Sequence, residues 1–153
     1  MNKFFHSLSD KSIKILVAGA GGLGCEIIKN LIKMKLELHI IIVDYDTVSE
    51  TNLNRLFCFR INDVERSKVV VISEYFNKFK HKSVTLEPLH ANLFELDISF
   101  YWKHQFTVIM SGLDNGEARD HLNKIAVFLN IPMIDAGTSG YNGQTQGYIR
   151  FGS

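Results

Sequence analysis

Residues 13–34 constrain the fold more than any other stretch. KSIKILVAGAGGLG is a short apolar strand that runs directly into glycines, and CEIIKNLIKMKL then repeats apolar residues at helical spacing, with Leu23, Ile27, Leu31 and Met34 expected inward. Gly19, Gly21 and Gly24 fit G-x-G-x-x-G between a strand and a helix, the context that the mechanism requires. Without side chains, backbone N–H groups and the helix N-terminus can approach a phosphate. The same turn can also serve only to pack a strand against a helix. The motif points to a nucleotide without choosing one.

The rest of the chain extends the pattern. LHIIIVD is a near-continuous apolar run, the mark of a strand covered on both faces. ERSKVVVISEYFNKFK carries a second helical stripe of Val69, Ile72, Phe76 and Phe79. SVTLEPL and FTVIMSGLD read as the third and fourth strands. EARDHLNKIAVFLN gives a helix with Ala118, Leu122, Ile125 and Leu129 inward, before strands in PMIDAGTSG and GQTQGYIRF. Strands alternating with helices predict an α/β fold: Rossmann-like, doubly wound, a mainly parallel sheet with helices on both faces. At 153 residues the chain is expected to form one domain with a single sizeable core. The N-terminal FFHSL is open between a helix packed on the domain and one packed on a partner.

Composition narrows the function. A net charge of +1 gives no electrostatic footprint for nucleic acid or an anionic membrane, so neither is expected as a partner. No apolar stretch approaches a bilayer span, and MNKFFHSLSDKS lacks a signal-peptide core, so an intracellular, soluble protein is expected. The ending GYIRFGS, with no helix or tail, suggests part of a longer chain. Cys25 and Cys58 form no CxxC pair, and neither a disulfide framework nor a zinc cluster is expected. Both cysteines are read as packing, as are Phe57 and Phe59. Tyr101 and Trp102 are open between core and interface.

Ligands of open α/β sheets bind beyond the carboxyl ends of the strands, and here three of those ends are polar. The glycine turn is the first. The second is DYDTVSETNLNRLFCFR, residues 44–60, which mixes aspartates, asparagines and arginine with leucines and phenylalanines. Asp44, twenty residues beyond Gly24, can accept hydrogen bonds from ribose hydroxyls. Asn52, Asn54, Arg55 and Lys68 follow. A dinucleotide pyrophosphate needs little more than helix N–H groups, whereas a triphosphate carries about four charges and gains from a planar guanidinium. Near an effective dielectric of 20, a cation about 4 Å from an anion gains about 4 kcal/mol before desolvation. Arg55 and Lys68 therefore suit a triphosphate; Lys68 can alternatively pair with Glu65. The third polar end is SGLDNGEAR, where Asp114 can hold Mg²⁺ against phosphate oxygens or cap the following helix, a role Asn115 can share.

Together GAGGLGCEIIKNL, IIIVDYDTVSETNLNRLFCFR, RSK, SGLDNGEAR and IDAGTSGYNGQ resemble the adenylation domain of ubiquitin-like-protein-activating enzymes. The likeness runs from about Lys14 to Gln144, with the motifs in family order. The motifs look most similar to enzymes that activate SUMO-like modifiers; those for ubiquitin and its other relatives are near rivals. The resemblance implies a single adenylation domain over residues 1–153, ATP and Mg²⁺ as cofactors, and adenylation of a modifier's C-terminal glycine. Carried onto this sequence, Gly19, Ala20, Gly21, Gly22, Leu23 and Gly24 lie against the nucleotide and Asp44 binds its ribose. Asn52, Leu53, Asn54, Arg55 and Lys68 surround the phosphates. Asp114 holds the metal, with Asp46 as a helper. Asn92, Leu93, Asn115 and Arg119 border the nucleotide.

The family's partners would be a ubiquitin-like protein, a second activating-enzyme subunit that commonly lends an arginine, and a conjugating enzyme reached through domains outside these residues. Nucleus or cytoplasm would be the location. Leu56 departs from the family's usual glutamine. Alternatives are a sulfur-carrier-protein adenylyltransferase and a non-catalytic scaffold like the inactive half of a heterodimer. An NAD-dependent oxidoreductase would use the glycine turn and Asp44 but leave Arg55, Lys68 and Asp114 without a task.

Overall fold

The computed structural model describes residues 12–139 and 142–148. FFHSL and the last part of the expected sixth strand lie outside them. Strand β1 (Ile13–Ala18) leads to helix α1 (Gly22–Lys33) and strand β2 (Leu38–Asp44). Helix α2 (Lys68–Asn77), strand β3 (Val84–His90), helix α3 (Ile98–His104) and strand β4 (Val108–Ser111) follow. Helix α4 (Gly116–Leu129), strand β5 (Met133–Ser139) and strand β6 (Asn142–Tyr148) complete the described chain. The strands lie in the order β3-β2-β1-β4-β5-β6, parallel except for β6, which pairs antiparallel with β5. The expected doubly wound, mainly parallel sheet is what the chain forms.

Strand geometry sends alternate side chains to opposite faces, and both faces are covered. Ile15, Val17, Ile40 and Ile42 pack with Ile28, Leu31, Val69 and Ile72 on the α1–α2 side. Leu16, Ala18, Ile41 and Val43 pack with Tyr101, Leu122 and Ala126 on the α3–α4 side. That double covering is why residues 40–43, Ile-Ile-Ile-Val, include no polar side chain. β3 is an edge strand, with Val84 and Leu86 buried and Thr85 and Glu87 exposed. Its Pro88, which lacks a ladder donor, suits that edge.

The helices depart from the expected faces in detail. α1 buries Gly24, Cys25, Ile28 and Leu31, so its inward stripe sits one position from the one expected through Ile27. A Cβ on Gly112 would lie 3.1 Å from Leu23 Cβ and 3.2 Å from the Gly24 nitrogen, so β4 presses on the first turn and sets its rotation. Met34, beyond the helix end, is exposed. Phe79, expected inward, is also exposed, because α2 ends at Asn77. Phe59 is buried but Phe57 is not: its ring stands edge-on to Tyr75 and Phe76. In α4, Ala118 and Leu122 are buried as expected, Ile125 and Leu129 only partly, and Ala126 takes an inward place.

α3 is an element the periodicity did not reveal, because seven residues give less than two turns of pattern. Asp97 caps it, accepting from Ser99 N–H and Phe100 N–H, and the Ser99 hydroxyl, which also donates to it, does most to hold the Asp97 carboxyl below the usual carboxylate range. It settles Tyr101 as core and leaves Trp102 71% exposed. Among the described residues no helix is long and apolar enough to cross a membrane.

Candidate functional site

The glycine turn is fixed by contacts that no side chain could share. Gly19 has φ +97°, and a Cβ there would lie 2.9 Å from the Gly112 carbonyl oxygen. A Cβ on Gly24 would fall 1.9 Å from the Gly19 carbonyl oxygen. Gly21 differs: a Cβ there would meet nothing within 4 Å, so that side of the turn is open. The first intrahelical bond of α1 runs from Cys25 N–H to Gly21 C=O, leaving the N–H groups before it without helical partners. They form the positive pole of the helix.

A hollow of about 850 Å³ opens in front of this pole, at the carboxyl ends of the strands. Gly19, Gly21, Gly22 and Leu23 form its floor. One wall carries Asp44, Tyr45, Asp46, Asn52, Arg55, Leu56 and Lys68, and the segment from Ala91 to Phe94 borders it. The other wall carries Gly112 to Asn115, Ala118 and Arg119, with Asp135, Gly137, Gln144 and Gln146 from β5 and β6.

The first wall is internally braced. Asp44 Oδ2 accepts from Ala20 N–H at 2.6 Å and Oδ1 from Asp46 N–H at 2.8 Å, tying the end of β2 to the glycine turn. Lys68 Nζ donates to Asp46 Oδ2 at 2.6 Å, with the lysine side chain only 12% exposed. A cation in the first turn of α2 meets the positive end of that helix, which the Asp46 carboxylate offsets. The partner of Lys68 is thus Asp46 and not Glu65. Asn52 is buried, its Oδ1 accepting from Ser49 N–H at 3.0 Å, which closes the short 3-10 turn Glu50–Asn52. Arg55 stands exposed at the rim and makes no ion pair among the described residues.

The second wall leaves a carboxylate free. Asn115 caps α4, its Oδ1 accepting from Glu117 N–H at 2.8 Å and Ala118 N–H at 3.4 Å. Asp114 is released from that task and is exposed at the hollow, with no ion pair among the described residues. Such a carboxylate fits Mg²⁺, which takes one or two protein carboxylates and fills its octahedron with water and substrate phosphate oxygens. Asp46 fits less well, since one oxygen already receives Lys68.

Arg119 borders the hollow but its guanidinium works behind the wall. Nε donates to the Leu113 carbonyl at 2.9 Å and Nη2 to the same oxygen at 2.5 Å, while Nε lies 3.7 Å from Asp135 Oδ1. A Cβ on Gly137 would stand 2.6 Å from Arg119 Nη2, so the bare glycine makes room for the guanidinium.

Four of the residues expected around a nucleotide do not line the hollow. Ala20 is wholly buried and offers its N–H to Asp44. Gly24 lies beneath the Gly19 carbonyl. Leu53 packs against the core, and Asn54 is exposed outside the hollow. The turn Glu50–Asn52 points Asn52 inward and carries its two successors away. Conversely, Asp135, Gln144 and Gln146 border the hollow though the sequence had nominated none of them. The strand of β5 was recognised, but the antiparallel return that aims β6 at the site was not.

Comparison with known proteins gives the family. The profile described as "ThiF family" matches residues 7–153. Over 134 residues the chain is 38% identical to SUMO-activating enzyme subunit 2 of Dictyostelium discoideum, covering 88% of this chain and 20% of that protein. It is 39% identical over 144 residues to the ubiquitin-activating enzyme E1-like protein of Saccharomyces cerevisiae, covering 91% of this chain and 22% of the relative. A NEDD8-activating enzyme E1 catalytic subunit from the same yeast is 42% identical over 145 residues, 89% of this chain and 47% of that one. The chain therefore spans about a fifth of the length of the first two relatives and less than half of the third. With a match that takes in all but the first six residues, the chain belongs to the ThiF family.

Proposed function

We propose that the hollow binds ATP with Mg²⁺ and that the chain carries the adenylating site of an enzyme that activates a ubiquitin-like protein, SUMO-like in type. The observation that carries the reading is the meeting of Arg55 from the loop after β2, Lys68 from the first turn of α2 and Asp114 from the loop after β4 around one hollow floored by the glycine turn. An NAD-dependent oxidoreductase has no use for two cations and a free carboxylate there.

In this reading the modifier's terminal carboxylate oxygen attacks the α-phosphorus, and the bond to the departing pyrophosphate breaks, giving an acyl-adenylate. The glycine turn and the open N–H groups of α1 receive phosphate oxygens. Arg55 and Lys68 stabilise the charge that builds on phosphorus and on the leaving pyrophosphate. Asp46 holds Lys68 in place. Asp114 would hold Mg²⁺, which supplies further charge neutralisation at the phosphates when bound. Asp44, already anchored by two N–H groups, presents its remaining lone pairs to the ribose. Positioning of two reactants supplies the rest of the acceleration.

The names of the relatives support both a ubiquitin-like substrate and a second subunit. The test is ATP–pyrophosphate exchange with candidate ubiquitin-like proteins, run in the presence of a partner subunit. Exchange that depends on the modifier and falls in Arg55→Ala and Asp114→Ala is expected. Exchange unchanged by both substitutions overturns the assignment.

A further inference from the structure

Cys25 and Cys58 are far apart in sequence, yet their sulfurs lie 3.2 Å from each other inside the α1–α2 core. Both are free thiols, exposed by 0% and 3% respectively, and neither borders the hollow. Apolar groups packed only for shape settle about 3.5–4 Å apart, so this contact is closer than filling requires. We propose that the two cysteines form a redox-modification site, in which a peroxide oxidises them to a disulfide tying helix α1 to the loop that carries Asn52 and Arg55.

The place of the bond gives it leverage. Cys25 sits in the first turn of α1, directly after the glycines. Cys58 follows Leu56, whose Cδ2 would lie 3.7 Å from a Cβ on Gly22, and Leu56 N–H donates to the Asn52 carbonyl at 3.1 Å. A disulfide bond is about 2 Å long, so the sulfurs need approach by only about 1 Å. The chemistry balances with hydrogen peroxide. The Cys58 thiolate attacks one peroxide oxygen, the O–O bond breaks, and a sulfenic acid and water result after proton transfer. The Cys25 sulfur then attacks the sulfenic sulfur, the S–O bond breaks, and a second water leaves. Two thiols are oxidised by two electrons and one peroxide is reduced. Either thiol can donate in this contact; with Cys25 donating, its hydrogen bond, aided by Arg60, holds the Cys58 thiol below its usual range and suits it to attack first. That same bond, together with burial, pushes Cys25 up and keeps its proton until the second step.

The test treats the reduced chain with hydrogen peroxide and reads intact mass, digest mass and melting temperature. The intact mass is expected to fall by two hydrogens, and the digest to yield a peptide joining Cys25 to Cys58. Closing a loop of this length is expected to raise the melting temperature on the order of 10 °C, reversed by dithiothreitol. Cys58→Ser and Cys25→Ala should each abolish both changes. Because the mass readout on the unsubstituted chain stands alone, failure of a variant to fold does not spoil the test. The proposal is overturned if the sulfurs gain oxygen without joining, join only between two chains, or stay reduced while a surface-thiol protein in the same tube is fully oxidised. None of these readouts involves ATP, so they stand apart from the adenylation reading.

Discussion

The loop after β2 and the loop after β4 both place aspartates at the carboxyl end of a parallel strand, yet they handle charge in opposite ways. After β2, Asp44 is held by two backbone N–H groups and Asp46 by Lys68, so those carboxylates have protein partners in the structure. After β4, Asn115 takes over the helix cap and Arg119 grips the Leu113 carbonyl from behind, and Asp114 has no ion-pair partner among the described residues at the surface of the hollow. A charge with a partner shapes the site. A charge without one is available to a ligand. Arg55 belongs to the second kind although it lies on the first loop.

The largest effect that sharpens this contrast is expected from the free charges. Asp114→Ala and Arg55→Ala should each lower modifier-dependent ATP–pyrophosphate exchange by about 10²–10³-fold, the usual cost of losing one stabilising group at a reacting centre. Their melting temperatures should stay within about 1–2 °C of the parent, as for other surface changes. A large drop in melting for Asp114→Ala would break the contrast, since it would make that carboxylate structural.

Lys68→Met should reduce exchange by roughly 10–100-fold. Asp46→Asn should lower the melting temperature by roughly 2–4 °C, because it strips a largely buried cation of its partner. That stability loss is held to about 1 kcal/mol by the half-exposed carboxylate. The double variant Lys68→Met/Asp46→Asn should recover melting but not exchange, and recovery of both would show that Lys68 only braces the loop.

Arg119→Lys comes next. A single ammonium cannot reproduce two N–H donations to one carbonyl, so a loss of about 1 kcal/mol and a rise of several-fold in the KM for ATP, with kcat little changed, are expected. A loss of kcat with KM constant would place Arg119 at the reacting atoms instead of behind the wall.

How much of this was readable beforehand depends on the range of the forces involved. The glycine turn, the apolar β2 run and the polar stretch from Asp44 to Arg55 are local demands, and each showed in the sequence. In α1 Leu31 is buried as the stripe predicts, but Gly24 and Ile28 take the inward places expected of Leu23 and Ile27, because Gly112, just past β4, packs against Leu23 and Gly24. Glu65, the alternative partner that sequence offers Lys68, is not the one it takes, because the bridge between Thr47 and Ser67 folds the chain so that Asp46 reaches it. Arg119 does border the hollow, while the lack of a side chain at Gly137 leaves room for its guanidinium to reach back to the Leu113 carbonyl. The meeting of Cys25 with Cys58 depends on tertiary packing alone.

The smallest effect at neutral pH serves as a control at a residue that does not border the hollow. Tyr101 is fully buried with no hydrogen-bond partner for its hydroxyl among the described residues, and burial pushes its pKa up to about 12. The folded state therefore keeps a proton that an unfolded tyrosine releases near pH 10. Stability is unaffected below about pH 10 and falls as pH rises from there towards 12, by up to about 1.4 kcal/mol per unit. Tyr101→Phe should flatten that alkaline decline in chemical denaturation, with a change within about 1 kcal/mol at neutral pH and normal exchange. An unaltered decline would mean that another group controls alkaline unfolding.

The most direct test of the central claim is the thermal stabilisation of the chain by ATP–Mg²⁺ compared with NAD⁺. The account predicts a rise with ATP–Mg²⁺ that is lost in both Arg55→Ala and Asp114→Ala, and no comparable rise with NAD⁺. Stabilisation by NAD⁺ alone, indifferent to those two substitutions, would contradict it.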